Sequence, residues 1–219
     1  MLNLNKGEHK ELVFINEPNL NLHISQAQDS SLRIIVINVS PISRFTDSPI
    51  SRFNSLEVHH AGTGCNTEIY VLAYIKNKDC VRTYTRVHHD VGDGQSKQVI
   101  KYVLADEAQG AFTGELKILP DAQKVSAEQT NRNLLLSEKA TMRTQPQLEI
   151  YADDVKASHG ATTGQLDESA LFYMQQRGID PQTARRMLVV AFMQDIISQI
   201  SDEKSREQLL QTIDGVIEE

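Results

Sequence analysis

Four aliphatic residues fall at equal intervals along the chain: Ile118, Leu134, Ile150 and Leu166, each 16 residues after the one before. Val125, Thr141 and Ala157 keep the same step. No other feature restricts the fold so strongly, because a fixed step over β-type residues is what stacked copies of one unit produce. It predicts a solenoid in which each turn lays its inward side chain on that of the turn below. In that register Ala127, Arg143 and His159 share one column. Evenly spaced strands of an antiparallel sandwich give a similar pattern, so the spacing leaves that architecture open.

Upstream the pattern is strand after strand. Residues 12–15, 20–24, 32–39, 69–75, 81–87, 99–104 and 116–119 are short β-rich runs broken by Asn, Asp, Gly and Ser. Between them the pentapeptide PISRF at 41–45 recurs at 49–53. Two copies are too few for a repeat architecture, and the segment 41–54 reads as a flexible loop. Aromatic residues make up only 5% of the chain and Trp is absent, so the core is aliphatic.

The period changes at Asp167, a good N-cap before a run containing Leu171, Phe172 and Tyr173, with Gly178 as its stop. Asp180 and Pro181 open a second helix, predicted to reach about residue 200. A third, over 205–217, is amphipathic. The expected organisation is a β domain over 1–166 and a helical domain over 167–219. Residues 187–193 are seven apolar residues in a row, and a helix apolar all round must be covered all round. Either the β core and the last helix cover it between them, or a partner protein does part of this.

The net charge of −7 is concentrated at the C-terminus, where residues 201–219 carry six acids against Lys204 and Arg206. This is no basic footprint for nucleic acid and no polybasic patch for a membrane. Cys65 and Cys80 form no CxxC, which argues against a disulfide framework or a zinc knuckle. No apolar run reaches membrane-spanning length, and the first residues lack the core of a signal peptide, so a reduced cytoplasmic setting is expected.

Chemistry-bearing motifs are sparse. The chain has no phosphate loop, no GxSxG elbow and no HExxH. In the pairs His59-His60 and His88-His89, neighbouring side chains on a strand point to opposite faces, so each pair offers at most one ligand to a given site. Solvated strand ends are the simpler reading, with a metal site that includes Cys65 and Cys80 as the rival. Asp153-Asp154 reads as turn chemistry. It is also the pair that a β-helix polysaccharide lyase or hydrolase would use for calcium or acid–base work. His159 is flanked by Ser158, Gly160 and Ala161, small residues that let another group approach its ring.

Several segments together carry a resemblance: FTGELKI at 112–118, NLLLS at 133–137, PQLEI at 146–150, ADDVKASHGAT at 152–162, and LFY at 171–173 with Arg177-Gly178. They resemble the SufB/SufD family of iron–sulfur cluster assembly scaffold subunits, and the SHGAT form resembles its SufD branch. The resemblance implies a right-handed parallel β-helix followed by a C-terminal helical domain, and a non-enzymatic scaffold with no nucleotide site of its own. It implies pairing with a SufB-like subunit through the β-helix, or of the chain with itself, and docking of a SufC-like ATPase on the helices. Leu171, Phe172, Tyr173, Arg177, Met187, Leu188 and Phe192 are the docking candidates. It places His159 at a transient iron–sulfur cluster shared with the partner, as the metal ligand. Family members usually begin with a further helical domain, so the chain resembles the C-terminal half. They also commonly carry Cys two residues before this His, where Ala157 stands here, so ligation from this chain rests on His159.

Overall fold

The computed structural model describes residues 1–40 and 48–218. Among these, strands β1 Leu2–Leu4, β2 His9–Ile15, β3 Asn19–Gln26, β4 Ser31–Val39, β5 Ser51–His60 and β6 Asn66–Ile75 form the first half of a mainly β chain. Strands β7 Cys80–His89, β8 Gln95–Leu104, β9 Gln109–Ile118, β10 Val125–Leu135, β11 Thr141–Ile150 and β12 Val155–Gly164 form the second. Helices α1 Glu168–Gln176, α2 Pro181–Ile197 and α3 Glu203–Glu218 follow.

Every strand pairing is parallel, and strands alternate between two sheets. One sheet runs β1-β3-β5-β7-β9-β11 and the other β12-β10-β8-β6-β4-β2. The chain is therefore a parallel β-solenoid with two strands per coil, which excludes the antiparallel sandwich. A full coil takes about 30 residues: Gln109 pairs with Cys80 below and Thr141 above, and Ser126 with Gln95 below and Lys156 above.

The 16-residue step is thus half a coil, and residues one step apart lie in different sheets. Ile118 stacks on Ile150, whereas Leu134 is opposite Gly164. The expected column of Ala127, Arg143 and His159 dissolves for the same reason. Ala127 pairs with Ala157, Arg143 with Ala111, and His159 with Gln129. Strand β5 also corrects the loop expected over 41–54, because the second PISRF copy runs into a strand beginning at Ser51. The first copy lies outside the described residues.

The corners recur as the strands do. Asn16, Asp29, Asn77, Asp93, Asp106 and Lys124 adopt φ between 54° and 60°. Asn and Asp tolerate this left-handed conformation better than other side chains, so the polar clusters between the β runs set where each coil turns.

Inside the solenoid, Ile24, Leu56, Val58, Ile69, Val71, Val87, Ile100, Leu116 and Ile118 form an aliphatic core. The outer face of the even-numbered sheet is apolar as well. There Ile35, Ile37, Val39, Leu72, Val103 and Leu134 pack against Val189, Met193, Ile196, Ile197, Leu209 and Ile213 of α2 and α3. Lys101, almost fully buried on this face, donates to the Phe192 carbonyl at 2.6 Å and pairs with Asp195 at 2.7 Å, fixing where α2 sits.

Capping sets the helix starts. Asp167 accepts from the Ser169 amide at 2.8 Å and Asp180 from the Thr183 amide at 3.0 Å, with Pro181 in the first turn. Gly178, at φ +83°, ends α1. The apolar run of α2 is covered mostly from within, by the even-numbered sheet and α3, although Met187 remains 49% exposed.

Met193 and Met187 lie on opposite sides of that covering and separate it experimentally. Met193→Ala is expected to cost about 2–5 kcal/mol, as for other buried large-to-small changes. Met187→Ala should stay within about 0.5 kcal/mol. Urea midpoints of the two variants check this.

Candidate functional site

The last coil has nothing stacked on it among the described residues. β11 and β12 end their sheets, so the outer edge of each carries main-chain N–H and C=O groups without a ladder partner. The lumen opens here too. Along β10, Val125, Ala127 and Gln129 face inward and are almost fully buried. Their register partners on β12 are Val155, Ala157 and His159.

His159 therefore takes the lumen-facing position of the terminal coil, yet it is exposed because no further coil covers it. Below it the same column continues as Gln129 and then Gln98. Gln98 Oε1 accepts from the Thr85 hydroxyl at 2.6 Å. Gln129 is 1% exposed, and neither of its amide atoms has a hydrogen-bond partner among the described residues. Its amide lies against Gly114, where an added Cβ would come within 2.3 Å of the side-chain nitrogen. The buried Thr144 hydroxyl of β11 is likewise unpartnered. The mouth of the solenoid thus combines one accessible imidazole with buried polar groups that have unused hydrogen-bonding capacity.

Asp153 and Asp154 are exposed in the turn that leads into β12. The Asp154 carbonyl accepts from the Lys124 amide at 2.6 Å, and its amide donates to Gln123 Oε1 at 2.9 Å. That is turn chemistry, and the pair has no place in a cluster of metal-capable side chains among the described residues.

The chain matches, over residues 21–192, the family model described as SUF system FeS cluster assembly, SufBD core domain. The chain belongs to the SufBD family. Among its curated relatives is the iron–sulfur cluster assembly protein SufD of Escherichia coli, 40% identical over 139 residues, which are 64% of this chain and 33% of that protein. A SufBD family protein of Synechocystis is 34% identical over 177 residues, 81% of this chain and 37% of the relative. SufD of Bacillus subtilis is 32% identical over 162 residues, 74% and 36% of the two chains. The chain thus spans about a third of the length of these SufBD relatives.

Within this SufBD core the helical candidates occupy different environments. Phe172 and Tyr173 are 63% and 59% exposed, with the Arg177 guanidinium 4.7 Å above the Tyr173 ring. Leu171 is buried beneath them, and Leu188 is half-buried. Phe192 packs into the helix–sheet interface, where Lys101 Nζ lies 4.7 Å from its ring. Met187 lines an apolar groove with Val190, Ala191 and Gln194, flanked by Arg186 and Asp214.

Gln129 and Thr144 were missed by sequence reasoning, since both read as ordinary strand residues. The signal that finds Gln129 is the coil length: one full coil before His159 stands a polar residue in an inward position.

The paired histidines divide as strand geometry requires. His59 and His88 face outward with rings 4.4 Å apart, and His60 and His89 face the lumen. The inner pair corrects the expectation of solvated strand ends, because both residues are fully buried. His60 contacts the Thr67 hydroxyl at 2.8 Å and His89 the Ser96 hydroxyl at 2.9 Å. Gly94 makes room for them, as a Cβ there would sit 2.9 Å and 2.8 Å from their Nδ1 atoms. Cys65 is buried and donates to the Gly62 carbonyl at 3.0 Å, and neither cysteine forms a disulfide.

Burial holds both inner histidines neutral, His60 well below the ordinary imidazole range and His89 at about 4. An unfolded chain takes up these protons near pH 6.5 whereas the folded chain does not, so stability is full above pH 6.5 and declines as the pH falls towards 4. His89 alone accounts for a loss of about 3 kcal/mol across that window. Urea midpoints measured between pH 7.5 and 4.5 should fall with pH, and less steeply in His89→Gln.

Proposed function

We propose that this chain is a non-catalytic scaffold for iron–sulfur cluster assembly, and that His159 holds iron of the nascent cluster at the mouth of the solenoid. The observation that carries this reading is the position of His159: a lumen-facing imidazole, in register with Gln129, on an exposed coil whose strand edge is unpaired. A neutral imidazole is a good donor to iron. With Ala157 in the place where relatives commonly carry Cys, thiolate ligands must come from a second subunit.

The open edges of β11 and β12 suit that subunit. A second solenoid of the same family, SufB-like, would continue the ladders by strand addition and close the lumen over His159. The cluster is then cargo built between two chains rather than a resident group of this one. A SufC-like ATPase would dock on the helical side, where Phe172, Tyr173 and Met187 offer apolar surface beside Arg177. Movement of the bound ATPases would open the joint and release the cargo.

Co-expression with SufB-like and SufC-like partners tests the whole reading. Wild type and His159→Ala should both recover the partners, while iron and acid-labile sulfide per complex fall several-fold in the variant. Cluster content equal to wild type would remove His159 from the assembly site. Recovery of neither partner by wild type would overturn the scaffold role. Met187→Glu should lower recovery of the ATPase and leave the SufB-like subunit bound.

A further inference from the structure

The odd-numbered sheet carries a second group of metal-capable side chains on its outer face, away from the lumen in which the His159 column lies. Glu57 and His59 of β5 and His88 of β7 each present one ligand atom, and these atoms lie within 4.8 Å of one another. The parallel ladder brings them together. His59 is the direct register partner of His88, and Glu57 stands two residues before His59 on the same face.

The hydrogen-bonding arrangement is that of a ligand set. His59 lies between two carboxylates: Glu57 Oε1 is 3.3 Å from its Nε2 and Asp90 Oδ2 is 3.5 Å from its Nδ1. A neutral ring carries one proton and donates to only one of them; with that proton turned towards Asp90, Nε2 and Glu57 Oε1 present lone pairs to the same ion. His88 adds a buried Nε2 that has no hydrogen-bond partner among the described residues. A carboxylate behind a histidine that presents its other nitrogen is the usual support of a metal-bound imidazole.

The neighbouring groups are engaged elsewhere or are compatible with an ion. His23 Nδ1 holds the other Glu57 oxygen at 2.9 Å. Arg86 lies 3.5 Å from Glu57 Oε1, but Glu115 holds its guanidinium more closely, at 2.9 and 3.0 Å. Glu57 is 19% exposed and His59 33%, so the group is sheltered and still open to solvent.

We propose that Glu57, His59 and His88 bind a divalent first-row transition ion on the outer face of the solenoid, with Asp90 positioning His59. Two imidazole nitrogens and one carboxylate oxygen suit ions such as Zn²⁺, Co²⁺ or Fe²⁺ rather than the all-oxygen preference of Ca²⁺ or Mg²⁺. Three protein ligands leave coordination positions for water or an incoming group. Rotation of the side chains closes the distances, and the ladder beneath stays as it is.

The test is titration of the full chain with Co²⁺, followed by its visible absorption, and competition with Zn²⁺. All proteins carry His159→Ala, so an ion held at the mouth does not contribute. The expected result is saturable binding of one equivalent, lost in His88→Ala and weakened at least about tenfold in Glu57→Gln, with Asp90→Asn about 10–100-fold weaker. Urea midpoints confirm that each variant is folded, and Glu57→Gln keeps the shape of the side chain it replaces. Absence of saturable Co²⁺ binding overturns the proposal. So does binding that is unchanged in folded His88→Ala and Glu57→Gln, and neither outcome bears on the role of His159.

Discussion

The parallel in-register ladder governs the rest of this structure. Stacked coils repeat at about 4.8 Å, so each inward residue meets its partner in the coil above and below. Like then stacks on like: aliphatic residues make the core continuous, while Gln98, Gln129 and His159 make one polar column. The same ladder places His59 on His88 on the outside and His60 on His89 on the inside. One constraint therefore produces the hydrophobic core, the buried neutral histidines and the outward ligand cluster.

A stack of coils has two faces and two ends, and each is resolved differently. The even-numbered face is apolar and is closed by α2 and α3, with the buried Lys101 making a charged contact to α2. The odd-numbered face is a lattice of charged and polar side chains, among them Glu57, Arg86, Glu115 and Lys117. At the C-terminal end, β11 is only partly buried and β12 largely exposed, with no coil stacked on them among the described residues.

Much of the fold was legible because its determinants are local. The Asn and Asp corners, the β-rich runs between them and the capping residues Asp167 and Asp180 all mark element boundaries that the structure reproduces. The number of strands per coil was not legible, because it depends on which sheet a strand joins, and that is a long-range property. Reading the 16-residue step as a whole coil therefore placed His159 above Arg143 instead of Gln129. Strand β5 escaped notice because the turn-like pentapeptide at 49–53 overlaps its start, while the ladder with β3 and β7 decides its state. His159 stood out by its small neighbours and by the SHGAT segment that they form with it. Gln129 could not, because its significance comes entirely from being one coil below.

The position of His159 limits what it can do alone. An exposed imidazole supplies one ligand, and the column beneath it offers an amide, a weak donor to iron compared with thiolate or imidazole. Gln129 and Thr144 are instead suited to hydrogen-bonding whatever enters the mouth, since buried polar atoms without partners gain most from a new contact. The outer cluster differs in kind, because Glu57, His59 and His88 provide three ligands from a single chain on rigid neighbouring strands. Under the proposed scaffold role, the first arrangement would need a second subunit to complete it and would release its cargo when that subunit moved. The second is complete within one solenoid, and its occupancy would follow the concentration of the free ion.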